Sequence, residues 1–258
     1  MIIEYHRPEN LTEALSLLAR ETPLTLPLGG GTTLSHERQR DIAVVDLQRL
    51  GLNTIEVEGQ FLRLGATVTL QQLYDCEELP ETVQAGIRDS LVHEVSANIR
   101  RAATVAGSVV ACDGRSPFVT TLLALDARLV WAPGGGEAQP IGDYLPFRER
   151  PGKGYLIQEL RLPLNATLSF DMVARSPMDR PIVCVAMAMW PSGRTRIALG
   201  GFGKDPILAM DGPEPGGAIA ASREAYRFAG DAWASAAYRM DVAGKLVKRM
   251  LTKGRVSA

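Results

Sequence analysis

An extended segment from Thr22 to Leu28 runs directly into three consecutive glycines, Gly29-Gly30-Gly31, and then into Thr32-Thr33-Leu34. Such a run is costly to order, because glycine gives up more conformational freedom on folding than any other residue. It belongs where backbone must come close to something. Amides with no neighbouring Cβ can approach an anion, and Thr32 and Thr33 add hydroxyl donors beside them. A second glycine-centred turn, Thr104-Val105-Ala106-Gly107-Ser108, is also flanked by hydroxyls and is followed by Ala111-Cys112-Asp113-Gly114. Two separated turns can hold two parts of one long phosphate-bearing ligand, so the chemistry suggested is pyrophosphate recognition.

Other classes are removed by composition. A chain of 258 residues, 46% of them hydrophobic, has material for one large domain or two to three small ones. Its 28 basic and 29 acidic residues give a formal charge of −1 without long blocks of either sign, and no nucleic-acid partner is expected. Cys76, Cys112 and Cys184 are scattered, with no Cys-x-x-Cys and no Cys/His spacing, so the expectation is no metal site and a reducing compartment. The N-terminus lacks a basic region followed by an apolar core, and the longest apolar run, Ile182 to Trp190, is too short to cross a bilayer. A soluble, cytoplasmic chain without membrane insertion is expected. His6, His36 and His93 are isolated and no triad or carboxylate pair stands out, so no catalytic residue is assigned.

Periodicity organises the chain into three parts. A strand at Ile2 to Tyr5 precedes a helix capped by Asn10, with Glu13 reaching back as in a capping box and Leu11, Ala14, Leu15 and Leu18 on one face. Strands follow at Thr22 to Leu28 and Ile42 to Leu47. The second part opens with a hairpin, Thr54 to Glu58 and Phe61 to Gly65 around Gly59-Gln60. Helices are predicted at Thr69 to Tyr74, Glu81 to His93 and Ser116 to Ala127, then a strand at Arg128 to Ala132 with Pro133-Gly134-Gly135-Gly136 as a hairpin tip. From Ser169 onward, Ile182 to Trp190 and Arg194 to Gly200 read as antiparallel strands, and Trp233, Ala236, Ala237, Met240, Val247 and Met250 as a helical core face. No Gly-x-Gly-x-x-Gly opens a helix, which disfavours a Rossmann domain.

Four segments, Gly29 to Leu34, Ile99 to Ser108, Leu122 to Ala127 and Ile197 to Gly203, together resemble, in this order, the FAD-binding medium subunit of molybdenum hydroxylases. That family includes flavin subunits or domains of aerobic carbon monoxide dehydrogenase, xanthine dehydrogenase and aldehyde oxidoreductases. The resemblance implies an α+β fold: two α/β FAD-binding subdomains of the vanillyl-alcohol-oxidase type, about 1–52 and 53–165, then a C-terminal antiparallel sheet with helices at 166–258. It implies FAD as cofactor, held by Leu28, Gly29, Gly30, Gly31, Thr32, Thr33 and Leu34 and by Thr104, Ala106, Gly107 and Ser108, with Asp113 near the ribose. It further implies a molybdopterin-binding large subunit, an iron-sulfur small subunit, and electron relay through FAD to a final acceptor.

This chain departs from the family pattern at Arg101 and Ser108, each in place of Asn, at Ala106 in place of Gly, and in a shorter loop, Gly114-Arg115-Ser116-Pro117. A Cβ at Ala106 is expected to obstruct amide approach or a positive φ. Two alternatives follow: FAD held with Arg101 or Arg115 contacting phosphate, or a non-catalytic assembly subunit that keeps the fold with weakened or lost flavin binding.

Overall fold

The computed structural model describes residues 1–36, 40–134, 136–148 and 153–256. In chain order its elements are β1 (Ile2–His6), α1 (Leu11–Leu18), β2 (Thr25–Leu28), β3 (Ile42–Asp46), β4 (Ile55–Glu58), β5 (Phe61–Gly65), α2 (Leu70–Asp75) and α3 (Glu81–Glu94). They continue with α4 (Ala97–Arg100), α5 (Val105–Ala111), α6 (Pro117–Ala124), β6 (Arg128–Ala132), β7 (Ala138–Pro140), α7 (Ile141–Tyr144) and β8 (Leu156–Pro163). Last come β9 (Thr167–Val173), β10 (Val183–Met189), β11 (Thr195–Gly200), β12 (Ile207–Gly212), α8 (Ala218–Ala225) and α9 (Ala236–Val256). The mixture of helix and sheet is the expected class. The chain divides into two compact units, one of residues 1–78, 97–111 and 128–162, the other of 79–96, 112–127 and 163–258.

The first unit holds two sheets. One has the order β1-β3-β2, and β3 pairs in parallel with both neighbours. Its central strand, Ile-Ala-Val-Val-Asp, is buried throughout, as a parallel strand covered on both faces should be. Asn10 caps α1 by accepting from the Glu13 amide at 2.9 Å. Glu13 reaches back to the Glu9 amide, not to Asn10, so the capping box is only half formed. The second sheet runs β4-β5-β8-β6-β7. The β4–β5 hairpin turns at Gly59 as expected, and β6 pairs antiparallel with β7 across the Pro133–Gly136 tip, of which Gly135 lies outside the described residues.

The second unit is built on the antiparallel sheet β12-β11-β10-β9. Along β10, Val183, Val185 and Met187 alternate to one face, joining Ile197, Leu199, Tyr226, Leu246, Val247 and Met250 in a core with α8 and α9. Burying each such side chain fully contributes about 1.5–3 kcal/mol. Buried helix α6 lies against β10 and β11, with Thr120 Oγ1 3.7 Å from Cys184 Sγ. Trp233 corrects the sequence expectation. It precedes α9, is 38% exposed, and lies under the Arg115 guanidinium at 3.9 Å. The buried stripe of α9 starts instead at Arg239, which is wholly inaccessible.

Candidate functional site

The first glycine turn leaves the C-terminal end of β2, the end at which open α/β sheets bind their ligands. Leu28 still belongs to the sheet, its carbonyl accepting from Leu47 N–H at 3.1 Å. Gly30 is glycine for a steric reason. A Cβ built on it would lie 1.7 Å from the Ala102 carbonyl oxygen, so the turn is pressed against the backbone that precedes the second turn. Gly31 is glycine for a conformational one, at φ +68. Leu34 opens a short 3₁₀ turn, Leu34–His36.

The second turn is not a free turn. Thr104 opens α5: its Oγ1 accepts from Gly107 N–H at 3.1 Å and its carbonyl from Ser108 N–H at 2.9 Å. Residues 103–106 are stitched to residues 66–70, with Leu70 N–H donating to Ala103 O (2.9 Å), Val105 N–H to Val68 O (2.8 Å) and Ala106 N–H to Ala66 O (3.4 Å). Ala106 is therefore helical and buried, and among the described non-glycine residues only Asp126 has a positive φ. The expectation that a Cβ at 106 would forbid the backbone is overturned: helical φ suits alanine.

The two turns thus differ in chemistry. Among the described residues, the amides of Gly29, Gly30, Gly31, Thr32 and Thr33 donate to no protein acceptor, and the hydroxyls of Thr32 and Thr33 have no protein partner. In the second turn the amides of Val105, Ala106, Gly107 and Ser108 are all taken by protein oxygens, and Ser108 keeps only its hydroxyl unpaired. Gly29 to Thr32 are half-buried and Thr33 is exposed, and their five unpaired amides with two hydroxyls form a donor set for an anion. The chain therefore has donors that fit the phosphates of a dinucleotide, and they are concentrated on one turn.

Asp113 belongs to the second unit. Arg180 grips its carboxylate with both guanidinium nitrogens, through Oδ2 at 2.8 Å and through Oδ1, which also accepts from Arg115 N–H at 2.8 Å. Burial pushes its pKa up, but Arg180 and the Arg115 amide outweigh this and hold it below the ordinary aspartate value. Oδ2 retains spare acceptor capacity. Glu94 at the end of α3 caps α6, accepting from Phe118 N–H at 2.9 Å and from Ser116 Oγ at 2.9 Å, and burial raises its pKa against those hydrogen bonds. Arg115 donates to Asp231 Oδ2 at 2.6 Å and to Pro181 O at 3.2 Å; Arg101 is exposed and has no protein partner among the described residues.

Sequence reasoning missed Ala102, Arg180 and Glu94. Each acts on residues far along the chain, and no local spacing announces it. Because Arg180 and Asp113 are both about half exposed, Asp113→Asn is expected to cost less than about 1 kcal/mol, measurable by urea unfolding.

A mixed helix-and-sheet fold with a run of unpaired amides at the end of β2 suits a phosphate-bearing cofactor. Residues 1–165 match the family described as the FAD binding domain in molybdopterin dehydrogenase. The Escherichia coli (strain K12) uncharacterized protein YgfM is 30% identical over 213 residues, which cover 82% of this chain and 79% of YgfM. The carbon monoxide dehydrogenase medium chain of Afipia carboxidovorans is 24% identical over 281 residues, covering 99% of this chain and 97% of that one. Reconstituted CO dehydrogenase from Oligotropha carboxidovorans shares the fold, with a TM-score of 0.81 at 23% identity over 95% of both chains. The chain belongs to the family of FAD-binding domains of molybdopterin dehydrogenases; it is an oxidoreductase subunit and its cofactor is FAD. Among the described residues no helix is long and apolar enough to cross a membrane.

Proposed function

We propose that this chain is the flavin subunit of a cytoplasmic molybdenum hydroxylase complex. It relays electrons from iron-sulfur clusters on a small partner subunit through FAD to a final acceptor, while substrate is oxidised at a molybdopterin centre on a large partner subunit. The observation that carries this reading is the set of five unpaired amides at Gly29–Thr33 in a chain of this family. When bound, the flavin supplies the redox chemistry, and the protein supplies binding and electrostatics.

In this account residues 1–165 are the FAD-binding domain, as subdomains of about 1–52 and 53–165 of the vanillyl-alcohol-oxidase type, and 166–258 is the C-terminal domain. The amides of Gly29, Gly30, Gly31, Thr32 and Thr33 hold the pyrophosphate, with Leu28 and Leu34 fixing the two ends of the turn. Thr104, Ala106 and Gly107 are the platform under that turn: Thr104 caps α5 through its hydroxyl and carbonyl, and the amides of Ala106 and Gly107 are taken by protein oxygens. Ser108 adds a hydroxyl, and Asp113 accepts a ribose hydroxyl at Oδ2. Nothing in this chain needs to move a proton on the substrate.

Replacing Thr32 and Thr33 together by alanine tests the assignment. Their hydroxyls hydrogen-bond to no described protein group, so the melting temperature should stay within a degree or two while FAD affinity falls at least about tenfold, the worth of one hydrogen bond to a charged group. Unchanged FAD affinity in that variant contradicts the assignment. Co-purification from the source cell should also bring down a molybdopterin chain and an iron-sulfur chain.

A further inference from the structure

We propose that the second unit carries a small-molecule site of its own: a cavity of about 510 Å3, lined by α3 and the segment 170–177, that takes an amino-substituted heteroaromatic anion of mononucleotide size. Its volume lies within the roughly 300–1,000 Å3 of ligand pockets. Three kinds of group meet there. On α3, Asp89 and His93 are one helical turn apart and line the same wall. From β9 and the chain beyond it come Phe170, Arg175 and Ser176.

Each wants something different from a ligand. Among the described residues the Asp89 carboxylate accepts no hydrogen bond and forms no ion pair, and burial raises its pKa, with Asp171 adding to this and His93 opposing it. It calls for an N–H donor. Asp171, on the same wall, is already neutralised by Arg249 at 2.8 Å. Phe170 and His93 lie 6.5 Å apart with their planes 29° from parallel, a ring surface suited to a planar group. Arg175, which lines the cleft with Ser176, pairs with no carboxylate among the described residues; its guanidinium lies 5.4 Å from the Trp233 ring centre, which leaves its charge available to an anion.

A bare anion would satisfy Arg175 and be repelled by Asp89. A bare cation would do the reverse. A planar ring carrying an amino group and a phosphate satisfies all three, and AMP is the simplest probe with those parts. The inference stands apart from the flavin reading.

The test is calorimetric titration of the FAD-loaded protein with AMP, IMP, adenosine and inorganic phosphate, while the visible spectrum follows the flavin. AMP should bind once per chain without displacing flavin. IMP, which turns a carbonyl toward Asp89, and adenosine, which lacks the anion, should each bind at least about tenfold more weakly, and so should phosphate alone. Arg175→Ala should weaken AMP and leave adenosine unchanged. Asp89→Asn, whose amide can donate, should bring AMP and IMP to within about threefold of one another. Both residues are exposed, so both variants should fold and keep their flavin. No binding of AMP, equal binding of AMP and phosphate, or competition between AMP and FAD would each overturn the proposal. A chain that takes up no FAD but shows this selectivity sustains it, which separates failure here from failure of the flavin assignment.

Discussion

Gly30→Ala should be among the most damaging single-methyl changes in the chain. The added Cβ would sit 1.7 Å from the Ala102 carbonyl oxygen and 2.5 Å from its carbonyl carbon, and both belong to backbone that cannot swing aside as a side chain does. That backbone is itself held, because Ala103 and Val105 are hydrogen-bonded to Leu70 and Val68. The turn must therefore lift away from its platform. Overpacking of this kind costs about 1–3 kcal/mol, and a backbone neighbour puts it at the upper end. FAD should be lost altogether, since the five donor amides move with the turn. Gly59→Ala supplies the control: φ is +59 with nothing within 4 Å, so only the left-handed backbone penalty of about 1–2 kcal/mol applies and flavin binding should survive. Urea unfolding with flavin absorbance separates the two. Equal stability loss and equal flavin content in both variants would contradict the close-approach account of Gly30.

The second large effect is expected at Asp231. Arg239 is fully buried, with its guanidinium donating to the carbonyls of Ile182 (3.1 Å), Ala229 (2.5 Å) and Ala234 (2.9 Å) and to Asp231 Oδ1 (2.9 Å). Asp231 is its only described carboxylate partner, and it also accepts from Arg115 and from the amides of Trp233 and Ala234. Asp231→Ala leaves a buried cation without a counter-charge, a change that costs about 3–5 kcal/mol. The pH dependence has a definite sign. Burial raises the Asp231 pKa, but Arg239 and the two amides outweigh it and hold the group at about 2, below the ordinary 3.8. A depressed folded pKa gives stability that is complete above about pH 4 and is lost as pH falls through about 2. The gap between the protein and its Asp231→Ala variant should narrow over that window in acid unfolding monitored by circular dichroism; a gap independent of pH would contradict the ion pair's role.

Much of the framework is legible in local pattern. The β-branched run Ile42–Asp46 is a central strand, the Gly59 hairpin forms, and Asn10 caps α1. What local pattern hides is tertiary. Thr104–Ser108 looks like a turn because Val105, Val109 and Val110 around Gly107 are poor helix formers, yet Thr104 capping and pairing with residues 66–70 make it the first turn of α5. The same local view leaves β8 and the edge strand β12 unassigned, and it places Trp233 in a core where the structure puts it against Arg115. For the site, the residue types of the first turn announce an anion, but their spacing says nothing of which amides remain free. Ala102 and Arg180 matter through contacts that only the folded chain creates.

The central claim is that one donor-rich turn, Gly29–Thr33, suffices to make this chain a flavoprotein although the amides of Val105 to Ser108 in its second turn are taken by protein oxygens. Reconstituting the purified chain with FAD, removing excess cofactor and recording the visible spectrum against protein concentration tests it most directly. The account predicts flavin bands at close to one FAD per chain. A chain that stays colourless after reconstitution, yet still associates stably with a molybdopterin chain and an iron-sulfur chain, would contradict it and identify an assembly subunit instead of a flavin subunit.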